Sequence, residues 1–170
     1  MPTFEGTKLA ETIRAKTAEM RELCAGISEE AASRAPAERW SPKQIISHLS
    51  GPDGVGFMPA LRLFLEQDVP LINITAEDPF FTDRRSRMTM KDLVAEFEQE
   101  YLRMAGFVAA ATETELARKA RIPLFKDTPL GEYPTLATFV SALAGWHMDF
   151  HINHMKEILQ NTGAGTGKSS

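Results

Sequence analysis

The sequence predicts an all-α protein, a four-helix bundle with two long ordered loops and a flexible C-terminal tail. Three observations carry this. Four long segments repeat apolar residues at spacings of three and four, the period of a helix with one buried face. Ser41-Pro42, Thr89 and Thr135 stand where helices should begin. No segment alternates apolar and polar residues for long enough to build a sheet. Residues 4–160 are expected to form one bundle domain, and 161–170, rich in Gly, Ser and Thr, a flexible tail.

The first helix is expected over about Thr7 to Gly26, where Leu9, Ile13, Thr17, Met20, Cys24 and Ile27 share one face and Gly26 suits the stop. A polar connector, Ser28 to Arg39, leads to Trp40. Ser41 is a good N-cap, and Pro42 suits the first helical position, where its missing N–H costs nothing. Gln44 completes a capping box. This second helix runs from Lys43 to about Ser50, with Ile45, Ile46 and Leu49 inward, until Gly51-Pro52-Asp53-Gly54 breaks it. A further helical piece, about Val55 to Gln67, carries Phe57, Leu61, Phe64 and Leu65. Residues 68–88 read as a loop whose Phe80-Phe81 pair tucks onto the bundle. Thr89 caps the next long helix, Met90 to Ala111, with the stripe Leu93, Val94, Phe97, Tyr101, Met104 and Val108, and a short helical turn, Glu113 to Lys119, follows. Pro123, Pro129, Gly131 and Pro134 mark 121–134 as the second loop, and the last helix is expected from Thr135 to about Gln160.

A chain of 170 residues can bury a core without disulfides or a structural metal, so a bound metal would point to chemistry. With a net charge of −4 and no basic run longer than Arg84–Arg85, the sequence lacks the clustered cationic face that nucleic acid requires. No apolar run approaches a membrane span, and the start Met1-Pro2-Thr3-Phe4-Glu5 lacks the basic and apolar regions of a secretory leader. The cytoplasm is the expected location. Cys24, the sole cysteine, lies in an apolar stripe and reads as a small buried hydrophobe rather than a reactive thiol.

The last helix carries the chemistry. Its apolar stripe Leu136, Phe139, Val140, Leu143 continues into His147, His151 and His154 before Met155 and Ile158 restore it. At about 100° per residue, His147 and His151 stand roughly 40° apart around the axis. Imidazoles at i and i+4 are suited to chelating a first-row divalent metal, and a third ligand must come from another helix. His48, the one remaining histidine, sits among Ile46 and Leu49 on the inner side of the second helix. Three neutral imidazoles would leave coordination positions open, as catalytic sites do. Against this stands the plainer reading, in which inward histidines are simply satisfied by carbonyls or carboxylates. Met148 stands where a zincin would place its general-base Glu, so the pattern is not that motif. Asp53 and Tyr101 are further candidates for the surroundings of the site, each with a bland alternative as solvated loop carboxylate or core aromatic. Asp149 falls on the outer face, and Trp40 and Trp146 read as packing anchors.

The segment Trp40-Ser41-Pro42-Lys43-Gln44-Ile45-Ile46-Ser47-His48-Leu49 closely resembles the signature of the DinB-like (YfiT-type) family, where a W-S-P start precedes the helix bearing the first metal-binding histidine. Thr135 to Ile158, with Trp146-His147-Met148-Asp149-Phe150-His151, resembles that family's last helix and its H-x-x-x-H pair, and Gly131-Glu132-Tyr133-Pro134-Thr135 the turn leading into it. The resemblance implies a bundle, often a homodimer, holding a divalent metal (zinc, nickel, manganese or iron) on His48, His147 and His151. Family members with assigned activities include thiol-dependent transferases and isomerases; with an open metal position, transfer of a thiol to a small electrophile or hydrolysis by bound hydroxide would both fit. A departure is His154, where the family commonly has Gln. The alternatives are a non-catalytic small-molecule-binding protein or a dimeric scaffold with a degenerate site.

Overall fold

The computed structural model describes residues 2–161, so the expected tail lies outside them apart from Asn161, the last residue of the final helix. Helix α1 spans Phe4–Cys24 and starts a turn earlier than the apolar period suggests, because Thr3 provides the cap, its Oγ1 accepting from the Gly6 N–H at 2.8 Å. Gly26, at φ +83°, follows the helix end. The connector expected over 28–39 contains a short helix, α2 (Glu29–Ala32), capped by Ser28, with Ala31 and Ala32 buried. Two alanines give too weak an apolar signal to reveal it. Helix α3 (Pro42–Ser50) begins with the capping box on Ser41 and Gln44.

Helix α4 covers Met58–Glu66, beginning three residues later than expected. Gly56 holds φ +68° and cannot join a right-handed helix; a Cβ there would sit 2.3 Å from Glu100 Oε1. That same Oε1 accepts from the N–H of Phe57 at 2.8 Å and of Met58 at 3.2 Å, so a carboxylate from another helix caps α4. The loop 68–88 contains α5 (Asp83–Ser86). Helix α6 (Met90–Ala110) is capped by Thr89, and α7 (Glu113–Leu116) ends before the expected Lys119. A 3-10 turn (Pro123–Phe125) precedes the last rod, which comprises α8 (Leu136–Ser141), a π-helical turn (Ala142–Trp146) and α9 (His147–Asn161).

Helix α1 packs against α6 and the last rod, while α3 packs against α6 and α9. Thus α1 and α3 occupy opposite corners, as do α6 and α9, and the connections α1–α3 and α6–α8 cross the bundle diagonally. Their length is what permits this topology. Phe64, Phe97, Tyr101, Leu49 and Val140 fill the centre. The two long loops are pinned together: the Ile72 N–H donates to the Arg121 carbonyl at 2.9 Å and the Arg121 N–H to the Pro70 carbonyl at 2.8 Å.

Loop 68–88 is also anchored from within. Arg85 is 3% exposed, and its Nη1 donates to the carbonyls of Ser47, Gly51 and Phe80 and to Ser47 Oγ. Asp53 lies 3.6 Å from Arg85 Nε and supplies the compensating charge. One guanidinium therefore ties the C-terminal end of α3 to the loop that passes over it.

A candidate metal centre

The π turn decides where the histidines point. It holds one residue more than an α-helical turn, so later positions are rotated back by about one residue, ~100°. Met148, Ile152 and Met155 consequently take the core positions, with Met148 and Met155 wholly buried. His147, which a straight helix would drive into the core, is moved to the flank that faces α3.

On that flank the three expected histidines meet. His48, His147 and His151 each bring one ring nitrogen to within 4.8 Å of the others. His48 Nε2 is 3.1 Å from His147 Nε2. His48 Nδ1 lies 2.6 Å from the Asp78 carbonyl, which can only accept, so Nδ1 carries the proton and Nε2 presents its lone pair. His151 Nδ1 is 3.3 Å from His154 Nδ1, which leaves His151 Nε2 for the centre. His147 Nδ1 is buried without a partner among the described residues.

Burial, above all, holds these rings neutral. It lowers the pKa of His48, partly offset by the Asp78 carbonyl and the acids of its loop. Burial and the neighbouring His48 bring His147 down to about 4, and burial with the other three histidines brings His151 down to about 2. Burial and Arg39 lower His154 as well. Neutral imidazoles are the form that binds metal.

The walls are aromatic. Trp40 stacks parallel to His151 with ring centroids 6.2 Å apart and tilts against His48 at 4.9 Å. Phe80 lies parallel to His48, and Phe150 stands edge-on to His151 at 5.0 Å. His154 is half-buried behind His151 and lies outside the cluster of three.

Other expectations fare differently. Trp146 is no packing anchor: the π turn swings it outward, where it is 71% exposed and stacks on Phe150. Asp53 neither approaches the centre nor sits free in solvent. It accepts from Thr82 Oγ1 at 2.6 Å and from Arg84, whose hydrogen bonds chiefly hold its carboxyl at about 2. Tyr101 is a core aromatic packed on Phe97, with its hydroxyl unpaired among the described residues. Asp149 is at the surface, paired with Lys16. Cys24 is buried, and desolvation pushes its thiol up to about 12.

Sequence reasoning missed Asp78. Its carbonyl orients His48 while its Oδ1 accepts from the Phe80 N–H at 2.7 Å. Its neighbours Glu77 and Phe80 sit at φ +58° and +50°, a strained conformation for residues with side chains. Asp78-Pro79 signals a turn there, but nothing local shows that its carbonyl reaches His48 on another element.

The fold has a counterpart among solved structures. The structure superposes on YfiT from Bacillus subtilis, described as a probable metal-dependent hydrolase with an unusual four-helix bundle topology, with a TM-score of 0.77. The two share 17% identity over 96% of this chain and 91% of that one, a likeness of fold. No curated protein matches the chain. The sequence profile of the DinB superfamily matches residues 12–155, most of its length, and the chain belongs to that superfamily.

Proposed function

We propose that the protein is a metal-dependent enzyme in which His48, His147 and His151 hold a divalent cation and activate water or an exogenous thiol against a small electrophilic molecule. The observation that carries this is the convergence of three neutral imidazoles, with two Nε2 atoms 3.1 Å apart. Two nitrogens bound tetrahedrally at ~2.05 Å stand about 3.3 Å apart, so the pair is close to the spacing a shared zinc-sized ion requires. The description of YfiT as a probable metal-dependent hydrolase supports the same reading.

A cation bound there lowers the pKa of a water or thiol and polarises an acceptor oxygen. The chain's own groups set the conditions. Asp78 fixes the tautomer and direction of His48, and His154 bears on Nδ1 of His151. Trp40 and Phe80 exclude water from two sides of His48. Cys24 cannot supply the thiol, being buried in the core, so a thiol nucleophile would have to come from solution.

The test begins with chelator-treated protein titrated with zinc, nickel, manganese and ferrous iron. One equivalent should bind, and His48→Ala, His147→Ala or His151→Ala should each abolish stoichiometric binding, while His154→Ala retains much of it. Loaded protein is then assayed for thiol conjugation to small electrophiles and for hydrolysis of activated esters. Turnover that survives in His48→Ala refutes the assignment, and fully metallated protein inert across a broad panel favours a ligand-binding role.

A further inference from the structure

A cleft of about 550 Å³ opens between α4 and the segment 71–75, with Phe80 and Phe139 at its inner side. The volume is that of a small-molecule site. Its walls are mainly apolar, from Phe57, Ala60, Leu63, Ile72 and Ile74, with Arg62, Glu66, Asn73 and Thr75 as the polar positions, and exposed Leu71 and Val55 continue the apolar surface at the rim.

Phe80 links this cleft to the histidines. Phe80 lines the cleft, and its ring lies 5° from parallel to the ring of His48, with centroids 6.2 Å apart. Its backbone is held from both sides, by Asp78 Oδ1 at the N–H and by Ser47 Oγ and Arg85 at the carbonyl. The strained turn that orients His48 through the Asp78 carbonyl is thus the turn that supplies the cleft wall. A position outside the favoured backbone region persists only where surrounding contacts enforce it, and such positions cluster at ligand sites.

We infer that this cleft binds the apolar body of a small amphipathic substrate, an aromatic or branched aliphatic group, and that its polar end passes the Phe80 ring to reach the three histidines. The inference rests on the metal-enzyme reading for the second part only; binding in the cleft does not need the metal. Apolar contact in the cleft would hold the substrate, and the clamped backbone would leave only the Phe80 side chain to move.

The probe is 2-naphthoate, a two-ring apolar body with a carboxylate that can reach a cation. Its binding to chelator-treated and zinc-loaded protein is followed by calorimetry, and its position by amide chemical shifts. Zinc-free protein should bind it, with the largest shifts in 57–63 and 71–75. Ala60→Trp, which fills the cleft, should weaken binding at least tenfold and leave zinc affinity within twofold. Leu71→Trp, at an exposed rim position that does not threaten folding, should weaken it severalfold. Zinc should tighten binding at least threefold, and Phe80→Ala should change that coupling by a similar factor. Unaltered binding in both Trp variants, or shifts elsewhere, overturns the cleft assignment. Binding in the cleft with no effect of zinc overturns the connection past Phe80. Failure of zinc itself to bind counts against the metal-enzyme reading and leaves the cleft result standing.

Discussion

Acidification of the metal-free protein should be costly, by an amount the burial of the histidines determines. His147 and His151 have pKa values of about 4 and about 2 in the fold, desolvation being the main cause. In the unfolded chain a histidine titrates near 6.5, so below that pH the unfolded state takes up protons that the folded state refuses. Stability is therefore full above pH 6.5 and is lost as pH falls towards the folded values. At pH 5 both rings are still neutral in the fold, and each contributes a loss of about 1.5 pH units at ~1.4 kcal/mol, or about 2 kcal/mol. Because the unfolded pKa sets that figure, it is insensitive to how far below 5 the folded value lies. The two together cost about 4 kcal/mol, a large part of the usual 5–15 kcal/mol of a domain. His48 and His154 are shifted in the same direction and add to the loss. Asp53, held at about 2, titrates below this window. Urea denaturation of chelator-treated protein at pH 8 and pH 5, followed by circular dichroism, measures the difference. A loss under about 1 kcal/mol would refute the burial argument, as would an undiminished loss in the double variant His147→Gln/His151→Gln.

Three further outcomes are expected. Arg85→Met should cost about 1–3 kcal/mol in urea denaturation, because it takes the donor from the buried carbonyls of Ser47 and Gly51, while Asp53 keeps Arg84 and Thr82. A cost under about 1 kcal/mol would show that the guanidinium is not the anchor described. Glu100→Ala should cost about 1–3 kcal/mol by leaving the N–H groups of Phe57 and Met58 unsatisfied, with Glu100→Gln keeping part of the cap. Native protein should leave Cys24 unmodified by a thiol reagent at pH 8 over the time that urea-unfolded protein reacts fully; modification at equal rates would place the thiol nearer the surface than it lies.

The long helices were legible because each combines a repeating apolar face with a local start signal. Ser41-Pro42 with Gln44 fixed the start of α3, and Thr89 that of α6. The three-histidine cluster was legible for a related reason, since i and i+4 spacing survives wherever the chain is helical. What escaped depends on partners distant in sequence. The start of α4 is set by Glu100, over forty residues away, and the direction of His48 by a carbonyl in loop 68–88. Trp146 reads from its sequence as a packing anchor, yet it closes the π turn and stands out in solvent. No side chain in Ala142–Trp146 announces the change.

That turn makes the candidate site depend on arithmetic rather than chemistry. Within Ala142–Trp146 the identity of a residue matters less than the winding of the turn, since residue number and winding together set the angle at which everything beyond emerges. The same residues wound as a regular α-helix would bring His147 to the inner face in place of Met148, and the triad would be dismantled with all three histidines still in the chain. Such a change would leave composition untouched and would be severe in space. Loss of one residue from the turn, by the same count, would let it close as an α-helical turn and leave Met148 inward and the histidines facing α3. Members of a fold that differ at this point are therefore to be compared by residue number and winding together, because either alone leaves the direction of their histidines undetermined.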